Sequence, residues 1–265
     1  MAREKARRPI RWRLWFSVLA WCAVFATSAL AAHRVRQYSL NSPAFTLSTE
    51  DRGAIAIQGI RYSSRWRLLR VFASDFGRSI FAVPLDERRR RLLGIDWVED
   101  ASVSRVWPNH LVVRISERKP VAFASLPGRA GSRLVDLPVL VDAQGVLLDP
   151  PPRAQFAFPI LNGLTEEQTE AERRVRVRAM VQLLEDLGPS ANNVSEVDAA
   201  APDDLTVVAQ VEGRPLELRL GDGNYARRMQ NFLFHYPEIR KRASHVSTFD
   251  LRLDDRITAK EQTTP

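Results

Sequence analysis

The side chains that most often do chemistry are thinly spread in this chain of 265 residues. Its four histidines are His33, His110, His235 and His245, and its one cysteine is Cys22. No two histidines have metal-ligand spacing, and Cys22 lies in an apolar run where no histidine can join it. Gly221-Asp222-Gly223 lacks the Lys-Ser/Thr that would make a phosphate loop, so it reads as a turn. No Gly-x-Ser-x-Gly elbow occurs. Asp203-Asp204 and Asp254-Asp255 stand in loop-like contexts, where solvated turn residues are the simpler reading. The sequence therefore offers no catalytic residue, no cofactor and no metal site, and the expectation is a protein that is not an enzyme.

Two other features have the chemistry of binding rather than of catalysis. Arg88-Arg89-Arg90-Arg91 has the composition of a patch for anionic lipid or an acidic partner. The competing reading is the solvated face of a helix whose apolar side is Leu85, Leu92 and Leu93. On that reading, replacing two of the arginines by Gln changes stability by no more than about 0.5 kcal/mol. The second feature is Val246 to Leu253, where Phe249, Leu251 and Leu253 alternate with Thr248, Asp250 and Arg252. Such a strand at the end of a sheet is an edge unless something covers it, and edges accept partner strands. A proline at Thr248 or Asp250 is expected to remove a ladder bond if that N–H points outward.

The elements that must position these residues begin with a membrane-type segment. Leu14 to Ala32 is a run of 19 residues without a charge, and as a helix it rises about 28 Å, close to the hydrocarbon thickness. Six basic residues precede it, and Arg34 and Arg36 follow. That asymmetry predicts a cytoplasmic N-terminus and a domain on the other side of the membrane. Ala29-Leu30-Ala31 also fits a signal-peptide cleavage site, although the apolar run exceeds the usual length of such a segment. The pI near 10.3 is a local matter: residues 1–36 hold eight Lys or Arg against one acid, leaving 31 basic and 30 acidic residues beyond them. The basicity thus speaks for a membrane and against nucleic acid. With Cys22 in the apolar run, the rest of the chain has no thiol and is held together by packing alone.

Beyond a linker at 33–49, the pattern predicts a strand at 54–60, a helix opened by Ser63 or Ser64 and stopped at Gly77, and an extended piece at Ile80–Val83. A helix then runs over Leu85–Leu93, with Asp86 and Glu87 in its first turn. Ala101 and Val103, then Leu111, Val113 and Ile115, alternate with polar neighbours around Trp107-Pro108-Asn109-His110, the pattern of a hairpin. Further strands are predicted at Val139–Leu148 around an Asp-Ala-Gln-Gly turn, at Val194–Asp198, at Leu205–Val211 and at Leu216–Leu220. A helix is predicted over Glu166–Leu187, and another from Tyr225 that Pro237 stops. Ile257–Ala259 is a candidate return strand.

Trp97-Val98, Ala101-x-Val103-x-Arg105, Trp107-Pro108, Leu111-Val112-Val113 and Glu117-Arg118-Lys119-Pro120-Val121-Ala122 together resemble the end of a POTRA domain as found in the FtsQ/DivIB family. Val139-Leu-Val-Asp-Ala-Gln-Gly-Val146, Phe158-Pro-Ile-Leu-Asn-Gly163, Leu218-Arg-Leu-Gly221 with Arg227 and Phe232, and Asp250-Leu251-Arg252 resemble that family's later motifs, in order. Leu253 departs from it, since relatives often carry an aromatic there. The resemblance implies an α+β protein with a single N-terminal transmembrane helix, a POTRA domain (β-α-α-β-β) and a larger mixed β-rich domain with helices. Its segments would be a basic tail at 1–13, the helix at 14–32, a linker at 33–49, POTRA at 50–120, the β-rich domain at 121–260 and a tail at 261–265. It also implies a bitopic scaffold of the bacterial division septum, in the inner membrane with its C-terminal domain periplasmic. The implied partners are FtsB and FtsL, taken up by strand addition at Thr248, Phe249, Asp250, Leu251, Arg252, Leu253, Asp255 and Ile257. Other division proteins would be met through the transmembrane segment and through Val103 and Arg105 of POTRA. A POTRA protein of outer-membrane secretion and a membrane-anchored envelope enzyme remain the alternatives. The first lacks a following run of barrel strands, and the second has the empty motif search against it.

Overall fold

The structure is a computed structural model that describes residues 12–49, 51, 53–126, 139–152, 154–254 and 256–260. It forms two compact units. The described residues up to 60 belong to the first together with 64–93 and 100–115, and the second holds 61–63, 94–99 and 116 onward.

In the first unit, helix α1 (Trp12–Asn41) continues well past the expected apolar stretch. His33 to Asn41 contains no Gly or Pro to break the i→i−4 ladder, so the segment expected as linker is helical up to Asn41, and after the extended Ser42, Pro43 opens a 3-10 turn at Pro43–Phe45. Strand β1 (Ile55–Gln58), helix α2 (Arg65–Arg70), helix α3 (Leu85–Leu93), strand β2 (Val98–Val106) and strand β3 (His110–Glu117) then follow in the expected β-α-α-β-β order. β3 takes the middle of a three-stranded sheet, pairing in parallel with β1 from Ile55↔Leu111 to Gln58↔Arg114. Ile55, Ile57, Leu68, Phe72, Ile80, Leu92, Leu111 and Val113 are its buried apolar side chains.

Three readings of this unit need correction. The helix expected to run to Gly77 ends at Arg70, and turns with i→i−3 hydrogen bonds carry the chain on to Gly77. Ile80–Ala82 is a 3-10 turn rather than an extended piece, with the Ser79 hydroxyl accepting from the Phe81 N–H. More consequentially, the Arg88–Arg91 run is not a uniformly solvated face. Arg88 is buried, as is Asp75, and its Nε and Nη2 donate to the two Asp75 carboxylate oxygens at 2.5 and 2.8 Å. Nη2 also meets the Ser74 hydroxyl at 3.0 Å. The hydrogen bonds that Arg88 donates to the Asp75 carboxylate hold its guanidinium above its usual pKa. Arg90 and Arg91 do face solvent, and Arg89 reaches the Ala101 carbonyl.

The second unit is built on a nine-stranded sheet. Its strands are β4 (Pro120–Ala124), β5 (Val139–Asp142), β6 (Leu147–Leu148), β7 (Ile160–Asn162), β8 (Val194–Asp198), β9 (Leu205–Val211), β10 (Arg214–Gly221), β11 (Thr248–Asp250) and β12 (Thr258–Lys260). Their order across the sheet is β12-β11-β10-β9-β8-β7-β4-β5-β6. Parallel neighbours need a crossover, and two of these crossovers are helical: α4 (Glu170–Leu187) leads from β7 to β8, and α5 (Tyr225–Arg242) from β10 to β11. Val177, Met180, Leu183 and Leu187 of α4 share one core with Met229, Phe232 and Tyr236 of α5 and with the sheet.

Local chemistry accounts for the boundaries. Thr169 and Glu172 form a reciprocal capping box, which moves the start of α4 from Glu166 to Glu170. The Asp-Ala-Gln-Gly turn is fixed by Asp142, whose Oδ1 accepts from the N–H groups of Gln144 and Val146 and whose Oδ2 accepts from Arg118. Gly145 has φ +83°, and a Cβ there would lie 2.6 Å from the Arg174 nitrogen. Its carbonyl receives the Nε of the buried Arg173 at 2.8 Å, which ties α4 to the turn. Glu212 and Gly213, both at positive φ, close a two-residue hairpin between β9 and β10, tighter than the four-residue connection expected. Pro237 does not stop α5, which continues to Arg242. Pro237 and Leu233 are both exposed, so water can meet the Leu233 carbonyl that the proline leaves without a donor.

Removing the carboxylate of Asp75 leaves a buried, unpaired arginine. Asp75→Ala should cost about 3 kcal/mol of stability, whereas Arg90→Gln should stay within about 0.5 kcal/mol. Denaturant unfolding of the full-length chain in detergent compares the two.

Candidate functional site

The candidate site is the far end of the large sheet, where the C-terminal residues lie. β10 supplies its floor. Glu217 N–H donates to the Ser247 carbonyl at 2.8 Å, and Leu251 N–H donates to Arg219 at 2.9 Å. The backbone groups of Ser247, Phe249 and Leu251 therefore face β10, and by alternation those of Thr248 and Asp250 face the other way. On that other side stands β12, antiparallel, with Thr248↔Lys260, Phe249↔Ala259 and Asp250↔Thr258 as partners.

This arrangement corrects the expectation of an exposed edge over Val246–Leu253. Regular strand is confined to Thr248–Asp250, and it is covered on both sides. The edge is β12. Thr258 and Lys260 turn their backbone groups inward to Asp250 and Thr248, which leaves the N–H and C=O of Ala259 pointing away from the sheet. A proline at Thr248 or Asp250 would thus break the inner ladder between β11 and β12, not the outer edge.

The predicted residues separate into three groups. Phe249 is buried, with its ring 5.1 Å from Phe232 and 6.3 Å from Tyr236 of α5, so it holds β11 down. Thr248 and Asp250 are half-buried and line a depression shared with Asp204 and Arg219. Leu251, Leu253 and Ile257 line a separate groove of about 260 Å³ against Arg227 and Asn231 of α5. Leu251 is buried, Ile257 half-buried, and Leu253 is 54% exposed. Asp255 lies outside the described residues.

The Asp-Leu-Arg motif belongs to an ion-pair network that the sequence alone did not reveal. Arg252 reaches back to its own Asp250 at 2.7 Å and to Asp204 at 3.4 Å, while Arg219 pairs with Asp204. The hydrogen bond from Arg219 holds the Asp204 carboxyl below the usual carboxylate range, and that from Arg252 does the same for Asp250. Nearby, Arg228 donates from Nε to Asp254 at 3.1 Å and from Nη1 to the Leu220 carbonyl at 2.6 Å, anchoring the segment after β11 to α5. No signal in the sequence linked Asp204 or Arg228 to this site, because Arg219 lies 15 residues from Asp204 and Asp254 lies 26 residues from Arg228.

Val103 is half-buried in β2. Arg105 donates from Nε to the Ile80 carbonyl at 2.6 Å and from Nη2 to that of Val83 at 2.8 Å. Its guanidinium braces the 3-10 turn. Among the described residues no group of three or more His, Cys, Asp and Glu could hold a metal ion. Ser116-Glu117-Arg118-Lys119 has Ser-x-x-Lys spacing, but Ser116 lies in β3 and Lys119 just beyond it. Extended chain turns residues three apart to opposite faces, so the two groups do not converge.

Comparison with known proteins agrees with this architecture. The profile of the POTRA domain, FtsQ-type, matches residues 53–118, and that of the cell division protein FtsQ/DivIB, C-terminal, matches 134–252. The chain belongs to the FtsQ/DivIB family. A cell division protein FtsQ of Koribacter versatilis is 34% identical over 86% of this chain and 65% of its own length. Proteins of the same name from Geobacter sp. and Myxococcus fulvus are 24% and 28% identical, over 97% and 74% of this chain and 92% and 66% of their own lengths. The chain therefore spans just under two thirds of the Koribacter relative. The second family profile ends at Arg252, the last residue of the Asp-Leu-Arg motif.

Because the folded-state pKa values of Asp204 and Asp250 are depressed, their pairing stabilises the fold above the unfolded value of about 3.9. That contribution is lost as pH falls through the lower folded values. A denaturation series from pH 6 downward should show wild type losing stability below about pH 4, and Asp204→Asn should flatten that slope.

Proposed function

We propose that this protein is a non-catalytic, bitopic scaffold of the bacterial division machinery. Its N-terminus lies in the cytoplasm, and the edge strand β12 takes up an extended segment of the FtsB–FtsL pair. The observation that carries this reading is the outward-facing main chain of Ala259 on the outermost strand of the large sheet. Strand addition gains affinity from such main-chain groups and specificity from side-chain pockets beside them. The groove lined by Leu251, Leu253 and Ile257 supplies a pocket of that kind. The anchor rests on α1, in which an 18-residue window has mean hydropathy 1.7 and which is long enough to cross a membrane. The orientation rests on the basic residues that precede that segment. Other division proteins would meet the transmembrane segment and the POTRA unit, with Val103 more available than Arg105, whose guanidinium is engaged.

In this arrangement Phe249 and Asp250 act indirectly, by fixing β11 so that β12 has something to pair with. Leu253 and Ile257 touch the incoming segment. Proline at Ala259 removes the outward N–H and spares the inner bonds of Thr258 and Lys260. Co-purification with FtsB from membranes should fall roughly tenfold for Ala259→Pro, equivalent to about 1.4 kcal/mol. The fall should be smaller for Leu253→Ala. A variant shown by circular dichroism to be folded, yet capturing FtsB as well as wild type, would sink the mechanism.

A further inference from the structure

Four aromatic rings gather at the end of the first unit that receives α1. Phe45, in the 3-10 turn after α1, lies 6.3 Å from Tyr38 of α1, 5.3 Å from Phe81 and 5.4 Å from Trp107 at the tip of the β2–β3 hairpin. Phe81 and Trp107 are 5.8 Å apart. Phe45 and Phe81 are half-buried, but Tyr38 and Trp107 remain 67% and 69% exposed. A cluster that served packing alone would bury its largest ring. Here the largest ring is the outermost.

The cluster is fixed to α1. The Ser79 hydroxyl donates to the Ser39 carbonyl at 2.7 Å, the Leu47 N–H to the Arg78 carbonyl and the Gly77 N–H to the Leu47 carbonyl at 2.9 Å each. Tyr38 stands six residues beyond Ala32, the end of the uncharged run, so it lies about 9 Å past the hydrocarbon boundary when that run spans it. The headgroup layer extends about 5–8 Å past the hydrocarbon on each side, and a helical side chain leans toward the helix N-terminus, which brings the Tyr38 ring back to that layer. Arg34, Arg36 and Arg78 surround this level, all exposed, and no Asp or Glu occurs from residue 5 to residue 49. Among the acids beyond it, Asp51 is paired with His110 and Asp75 with Arg88, Asp86 is exposed on α3, and Glu50 lies outside the described residues.

We propose that Tyr38, Phe45, Phe81 and Trp107 form a ledge seated in the headgroup layer of the bilayer that α1 crosses, with the three arginines on lipid phosphates. Tyrosine and tryptophan favour this layer because they join an apolar ring to a polar group. The POTRA unit is then docked on the membrane, not merely tethered to it. The inference rests on the anchor reading of α1, and the experiment separates the two.

The full-length chain, labelled with 5-fluorotryptophan, is placed in nanodiscs of phosphatidylcholine and phosphatidylglycerol that carry a lipid spin-labelled near the headgroup. Single Trp→Phe variants assign the fluorine lines. Trp15, on α1, reports the anchor, and Trp107 reports the ledge. The expected result is broadening of Trp107 to at least half the extent seen for Trp15. Broadening of Trp15 with a sharp Trp107 line would overturn docking and leave the anchor in place. Sharp lines for both would remove the anchor and the ledge together.

Discussion

The position of Phe249 is the constraint on which the C-terminal end of the large sheet depends. Its ring packs on Phe232 and Tyr236, and its backbone pairs beside Leu218. A buried aromatic of this size gains much from leaving water. β11 has only three strand residues, Thr248 to Asp250, so this one side chain fixes its register against β10. Everything beyond it inherits that register: the Asp250–Arg252 pair, the groove at Leu253, and β12 with its free edge. The helical crossover through α5 makes this possible, since a parallel neighbour cannot be reached by a tight turn.

Much of the fold is legible in the sequence, for identifiable reasons. Period-2 alternation marks β3, β9 and β10 because each presents one face to a core, and the helical stripe of Val177, Met180 and Leu187 marks α4. The Asp-Ala-Gln-Gly turn follows from the need for a left-handed residue at Gly145. Less legible are the places where a distant partner overrides a local pattern. Arg88 looks like one of four solvated arginines until the fold brings Asp75, thirteen residues away, beneath it. Pro237 looks like a stop signal, yet it falls on an exposed turn where losing one backbone bond is tolerable. Pro215 lies in β10 with its ring nitrogen directed to the β11 side, two residues before pairing with β11 begins at Glu217. No N–H is needed there.

The candidate site was legible in outline and misplaced in detail. Alternation at Phe249, Leu251 and Leu253 marks a half-buried strand near the end of the chain, but alternation cannot say which neighbour covers it. Ile257–Ala259, a short polar-flanked segment, has almost no pattern of its own, and it is this segment that becomes the edge. The ion pairs that brace the site, Asp204 with Arg219 and Arg228 with Asp254, join segments with no sequence signal in common. A short, polar edge strand is also a protected one, since it offers too little flat apolar surface for indiscriminate pairing.

The central claim is that a single outward-facing peptide group on β12 receives the partner strand. Residue-resolved amide hydrogen exchange at Thr258, Ala259 and Lys260 tests it directly. In the free protein, Thr258 and Lys260 should be protected by β11 while Ala259 exchanges freely. With the FtsB segment bound, the Ala259 amide should slow by at least tenfold, joining its neighbours. An Ala259 amide that exchanges equally fast in the free and the bound protein would contradict the account.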